Sequence, residues 1–89
     1  MLFRSNAASV VAGISGSNAV NVFIDGEDMV VSADTKGPGT HLGLYSRNVD
    51  GYITVPAAWR DKVSAVPGTT VLRFLDTYKG RPVLRIRKA

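Results

Sequence analysis

Val49-Asp50-Gly51-Tyr52-Ile53-Thr54-Val55-Pro56-Ala57-Ala58-Trp59-Arg60-Asp61-Lys62-Val63-Ser64-Ala65-Val66-Pro67-Gly68 is the stretch that decides the fold. Asn48-Val49-Asp50-Gly51 reads as a turn, because aspartate and glycine both favour turn backbones. Tyr52-Ile53-Thr54-Val55 is aromatic and β-branched, the composition of a strand. Pro56 then opens a helix expected to run to about Ala65, since proline at the first helical position gives up an N–H that would have no helical partner. Trp59 and Val63 lie four residues apart on one helix face, and Trp59 is expected to anchor the helix in a core. Arg60 and Lys62 point elsewhere. Pro67-Gly68 ends the segment.

Toward the C-terminus, Thr69–Leu75 and Pro82–Arg87 read as two strands of a hairpin, joined across Asp76-Thr77-Tyr78-Lys79-Gly80-Arg81. Alternation puts Leu72 and Phe74 on one face of the first strand, and Leu84 and Ile86 on one face of the second. If those apolar faces meet in one core, Arg73, Arg85 and Arg87 fall together on the other side. There guanidinium groups can pair with phosphate oxygens. Toward the N-terminus, Leu42-Gly43-Leu44-Tyr45-Ser46 is a short strand candidate. Thr35–His41, with its Gly37-Pro38-Gly39, is a loop. Ala19–Ile24 and Met29–Ala33 flank Asp25-Gly26-Glu27-Asp28 and predict a hairpin over 19–34, with a turn of two or four residues. Residues 5–18 are small and polar around Val10-Val11-Ala12 and read as a weak strand or an arm. The chain divides into an N-terminal extension, 1–41, and a basic strand–helix–hairpin unit, 42–89.

Strand, glycine turn, strand ending in Val55-Pro56, short helix, Pro67-Gly68 and hairpin follow one another in an order that resembles the AbrB/SpoVT/MazE family of swapped-hairpin proteins. Val49 to Pro56, Trp59 to Val63, Val66 to Val71 and Pro82 to Lys88 carry the likeness, about half the chain. The resemblance implies a homodimer of interleaved hairpins that binds duplex DNA as a transcription regulator or as the DNA-binding end of an antitoxin. It also implies that Arg47 and Arg60, at or beside positions basic in the family, meet the DNA, with Lys62 close by. Two positions depart from the pattern: Tyr52 stands where arginine is common, and Asp61 stands where the helix often carries a second basic residue.

Charge points the same way. The net charge is +4, but residues 1–40 sum to −2 and residues 41–89 to +6, with arginine seven of the eleven basic residues. An uneven distribution of this kind favours an anionic partner for the basic half. With 89 residues and no cysteine, the chain has a small core and no disulfide to support it, so oligomerisation is the expected remedy. No run approaches the ~18–20 apolar residues that span a bilayer, and the N-terminal apolar run is too broken for an export signal. A soluble, cytoplasmic protein is expected.

Chemistry-bearing motifs are few. His41 is the one histidine and sits in the glycine-rich loop. The sequence holds no metal-ligand spacing, nucleophile elbow or nucleotide-binding glycine pattern, and no cofactor is expected. Tyr45 and Tyr52 can stack on unpaired bases, although half-buried strand tyrosines are common. The fold expected is mainly β with one short helix, either an AbrB-like swapped hairpin or a small closed β-barrel, with the N-terminal hairpin as an extension. The function expected is DNA binding through Arg47, Arg60, Lys62, Arg73, Arg85 and Arg87. The alternative is a protein-interaction module without catalysis, such as an inhibitor of a partner enzyme or an assembly component, that meets its partner through residues 1–41.

Overall fold

The structure, a computed structural model, describes residues 2–4, 19–46 and 52–89. Among these the chain is mainly β: β1 Leu2–Arg4, β2 Ala19–Asp25, β3 Asp28–Ser32, β4 Thr40–Ser46, β5 Tyr52–Thr54, helix α1 Ala57–Val63, β6 Val71–Tyr78 and β7 Arg81–Lys88. Five strands form one antiparallel sheet in the order β4-β2-β3-β7-β6, and β1 pairs with β5 in a separate two-stranded ladder. The sheet is open, which corrects the closed-barrel expectation: among the described residues, β4 and β6 are its two edges. The predicted arm over 5–18 and the turn at 48–51 lie outside the described residues.

The 19–34 hairpin, read from sequence as part of an extension, supplies the two central strands. Asp25 pairs with Asp28 across the two-residue turn Gly26-Glu27, which fixes the register that the sequence left open. Strand β3 then pairs with β7, so the acidic hairpin and the basic unit share one sheet.

The helix follows from its local signals. Pro56 sits just before it, at the N-cap with extended backbone, and Ser64 stops it in the left-handed conformation at φ 55°. Trp59 is buried, and its indole N–H donates to the Glu27 carbonyl at 2.9 Å. One side chain thus ties the helix to the β2–β3 turn. With Ile53, Val55 and Ala65, Trp59 covers a sheet face made by Val20, Val22, Met29, Val31, Leu84 and Ile86.

The last hairpin differs from expectation. It turns in two residues, Lys79 and Gly80, at φ 49° and 80°. Positive φ at both central positions gives the twist that a tight hairpin needs, and glycine supplies it without strain. The strands therefore run through Asp76, Thr77 and Tyr78, residues assigned from sequence to a loop. Leu72 and Phe74 fall opposite Arg87 and Arg85, while Arg73 falls opposite Ile86. A shift of one residue in register sends every side chain to the other face. The expected row of Arg73, Arg85 and Arg87 is accordingly split, with Arg73 on the helix side.

The second face has a small apolar cluster of its own: Phe23, Val30 and Val83, with Tyr78 against it. The 33–39 loop lies over Phe23. A Cβ on Gly37 would stand 2.7 Å from the Phe23 ring, and one on Gly39 (φ +74°) would stand 2.0 Å from the Ile24 carbonyl oxygen. No larger residue fits where the backbone comes this close. His41 belongs to β4 and not to the loop. Its ring lies 4.8 Å from that of Phe23, and Nε2 is 3.0 Å from Asn21 Oδ1.

Candidate functional site

Alternation along β7 sends Val83, Arg85 and Arg87 to the second face, away from the helix. Asp25 and Asp28 stand directly opposite one another there, an arrangement of like charges that is unfavourable by itself. Arg85 resolves it. Its Nη1 donates to Asp25 Oδ2 at 3.0 Å and to Asp28 Oδ2 at 2.8 Å, and its Nε donates to Asp76 Oδ2 at 2.9 Å. Arg87 adds a two-pronged bond to Asp28, Nε to Oδ1 at 2.8 Å and Nη2 to Oδ2 at 2.9 Å, and its guanidinium lies over the Phe74 ring at 5.3 Å.

The protonation equilibria reflect this pairing. The Arg87 hydrogen bond, helped by Arg85 and opposed by burial, holds the Asp28 carboxyl below its ordinary value. Asp76 is lowered as well, by the Thr77 backbone N–H and then by Arg85. Burial works to lower Arg85, but its bonds to Asp28, Asp25 and Asp76 outweigh that and leave it raised. Arg87 is raised by Asp28. The side chains of Arg85 and Asp28 are only 12% and 8% exposed. Three carboxylates against two guanidiniums leave this cluster with a net negative charge. Its arginines hold the face together.

The remaining cations gather elsewhere. At the end of the sheet where the helix stops, Glu27, Lys62, Val63, Ser64, Arg87, Lys88 and Ala89 line an open hollow of about 370 Å³. The local sequence places each of them. Ser64 ends the helix and leaves the Val63 carbonyl without a helical partner, and Lys88 Nζ donates to it at 2.9 Å. Lys62, on the exposed side of the last helical turn, faces the same space. With Arg87 already paired to Asp28, Lys62 and Lys88 are the cations that face Glu27 across this hollow, and their ammonium groups and the Ser64 hydroxyl are the donors it offers an anion.

A second hollow of about 260 Å³ lies at the opposite end of β7, lined among others by Asp34, Lys36, Tyr78, Lys79, Arg81 and Val83. Arg81 is bonded there to Asp34 at 2.7 Å.

Of the residues expected at a nucleic-acid surface, Lys62 and Arg87 come together. Arg60 is on the same helix, half-buried and 4.0 Å from Asp61. Arg73 is exposed on β6 and lines neither hollow, Arg85 belongs to the carboxylate cluster, and Arg47 lies outside the described residues. Tyr45 packs against the helix-side core. Lys88 and Glu27 were not singled out from sequence. Lys88 shows only as the last residue of an alternating strand, and nothing in the pattern around Glu27 places it beside a helix 35 residues on. Among the described residues, no group of three or more His, Asp or Glu side chains is arranged to hold a metal ion, and no helix is long and apolar enough to cross a membrane. The chain matches no family model, no curated protein and no solved structure.

Proposed function

We propose that this chain is a small nucleic-acid-binding protein, not an enzyme, and that it meets the phosphate backbone with the helix end of its sheet. The observation that carries this reading is the convergence of Lys62, Arg87 and Lys88 on one open hollow. The cation surplus of residues 41–89 supports it, because the internal aspartates are spent on Arg81, Arg85 and Arg87 and leave the lysines facing outward. Phosphate contacts of this kind give affinity and orientation without sequence choice. A cytoplasmic regulator or antitoxin-like role, on duplex DNA, is the form that the family resemblance lends to the reading. In its swapped-hairpin form, two copies would exchange β6–β7 hairpins, so that the β3–β7 pairing made within one chain would form between two.

The test is binding to random-sequence duplex DNA at low salt. The double variant Lys62→Glu, Lys88→Glu is expected to bind at least about tenfold more weakly, since each cation lost removes a phosphate contact. Lys36→Glu, Lys79→Glu, at the other end of the sheet, serves as the charge-matched control and is expected to bind more tightly than the first pair. Equal binding by the two variants would remove the hollow from the account. A second reading, a protein-interaction module without nucleic-acid affinity, is favoured by the exposed leucines of β6. It predicts no binding to DNA at any salt.

A further inference from the structure

Strands β3 and β6 end on the same side of the sheet, and the smaller hollow, of about 260 Å³, opens there between the 33–36 loop and the Lys79-Gly80 turn. Its walls are fixed from several directions. The loop backbone lies against the Phe23 ring at Gly37, and the Asp34 N–H donates to the Ser32 hydroxyl at 3.1 Å. Arg81 reaches from the turn side to the loop side through its 2.7 Å bond to Asp34. Part of the lining is apolar: Val83 is buried, and the half-buried Tyr78 packs with it, Phe23 and Val30.

The Arg81–Asp34 pair is neutral as a unit, so Lys36 and Lys79 leave this hollow with a charge of +2. Among the described residues, no carboxylate pairs with either lysine. Lys79 Nζ stands 5.4 Å from the centroid of the Tyr78 ring, which brings an ammonium group and an aromatic ring to one place. The backbone supplies a separate observation. Lys79 takes φ 49°, a left-handed conformation that is unfavourable for a residue with a Cβ. Asparagine, aspartate or glycine is the ordinary occupant of this turn position. Strain of this kind gathers at functional sites.

We infer that this hollow binds a small free molecule made of a planar ring and a phosphate monoester. Such a phosphate carries about −1.5 to −2 charge at pH 7, which the two lysines match. The ring rests against Tyr78 and Val83. The volume lies just below the ~300–1,000 Å³ of pockets for drug-sized ligands, which suits a ligand of one ring and one charged group. The helix-end hollow also offers lysines, but no aromatic side chain lines it, so the ring separates the two sites. The inference does not rest on the nucleic-acid reading, and its test contains no nucleic acid.

The experiment is calorimetric titration of the full chain with phenyl phosphate, with inorganic phosphate and phenol as probes of each half. Phenyl phosphate is expected to saturate one site and to bind at least about tenfold more tightly than either half, a clear difference in dissociation constant. Lys79→Asn removes the charge and places a residue suited to left-handed backbone in the turn, so the fold is kept. It is expected to weaken phenyl phosphate at least about tenfold. Tyr78→Leu is expected to abolish the preference for phenyl phosphate over inorganic phosphate. Lys62→Glu, Lys88→Glu, at the other end of the sheet, is expected to bind phenyl phosphate as the wild type does. A titration that fails to saturate below about 10 mM would overturn the inference, as would wild-type affinity in Lys79→Asn or a loss in the helix-end variant. A phosphotyrosine side chain carries the same group, so a short phosphotyrosine peptide completes the series. It is expected to bind no more tightly than phenyl phosphate, and a tenfold advantage would overturn the assignment to a small free molecule.

Discussion

One sheet carries two faces held by different forces. On the helix side, Trp59, Leu84, Ile86 and Met29 exclude water, and the stabilisation scales with apolar area. On the other side, among the described residues, the packed apolar cluster is Phe23, Val30 and Val83 with Tyr78 against it, and an arginine–aspartate network holds the rest. The difference teaches that basic residues on a strand need not be recognition residues. Arg85 is required where it is because the turn sets Asp25 against Asp28.

The comparison breaks most severely at Trp59. Trp59→Ala is expected to cost about 3–5 kcal/mol, the usual range for emptying a large buried aromatic site, and also severs the bond to Glu27. Urea unfolding would measure it, and a loss below about 1 kcal/mol would show that the helix is not anchored as described.

On the other face, Asp28→Asn is expected to cost about 2–3 kcal/mol. It leaves two guanidiniums short of a carboxylate, and removing one partner of a buried ion pair is strongly destabilising. Asp25 and Asp76 still hold Arg85, which keeps the loss below that of an isolated pair. If the charge network contributed nothing, the variant would unfold at the wild-type urea midpoint.

Acid sharpens the contrast more gently. Folding lowers the pKa of Asp28, so its contribution is complete above the unfolded carboxylate value of about 3.9 and is lost as pH falls through the native value. Stability is therefore expected to drop below about pH 4, and the drop should be smaller in Asp28→Asn, which has no carboxyl to protonate at that position. Trp59→Ala, which leaves the network in place, should keep the wild-type acid slope. Thermal melts of the three proteins between pH 5 and pH 2 provide the comparison, and parallel curves would refute it.

Much of the fold could be read locally. The Asp25-Gly26 turn and the Pro56 helix start depend on neighbours in sequence, and Trp59 stood out as the residue in its helix large enough to anchor it, whereas the helix stops at Ser64 in the left-handed conformation, ahead of the Pro67-Gly68 pair that was read as its end. The face of each arginine could not be read in this way. It depended on whether the last hairpin closed in two residues or six, and Tyr78-Lys79-Gly80-Arg81 permits both until Lys79 takes a positive φ. The long-range pairing of β3 with β7 left no local trace. Without it the hairpin over 19–34 read as an extension, and Arg85 read as free to meet a phosphate. The candidate hollow was half legible, since Lys62 and Arg87 were singled out on charge, whereas Lys88 and Glu27 join them only through tertiary contacts.

The central claim is that the cations of the helix end, Lys62 and Lys88 beside Arg87, and not the buried Arg85 at the centre of the network, meet a polyanion. Its most direct test is the salt dependence of binding to random duplex DNA. The account predicts a linear fall of log K with log salt. Each contact should contribute a slope of about −0.9, and Lys62→Glu, Lys88→Glu should flatten the line. Absence of binding at low salt, or a slope that the double variant leaves unchanged, would contradict it.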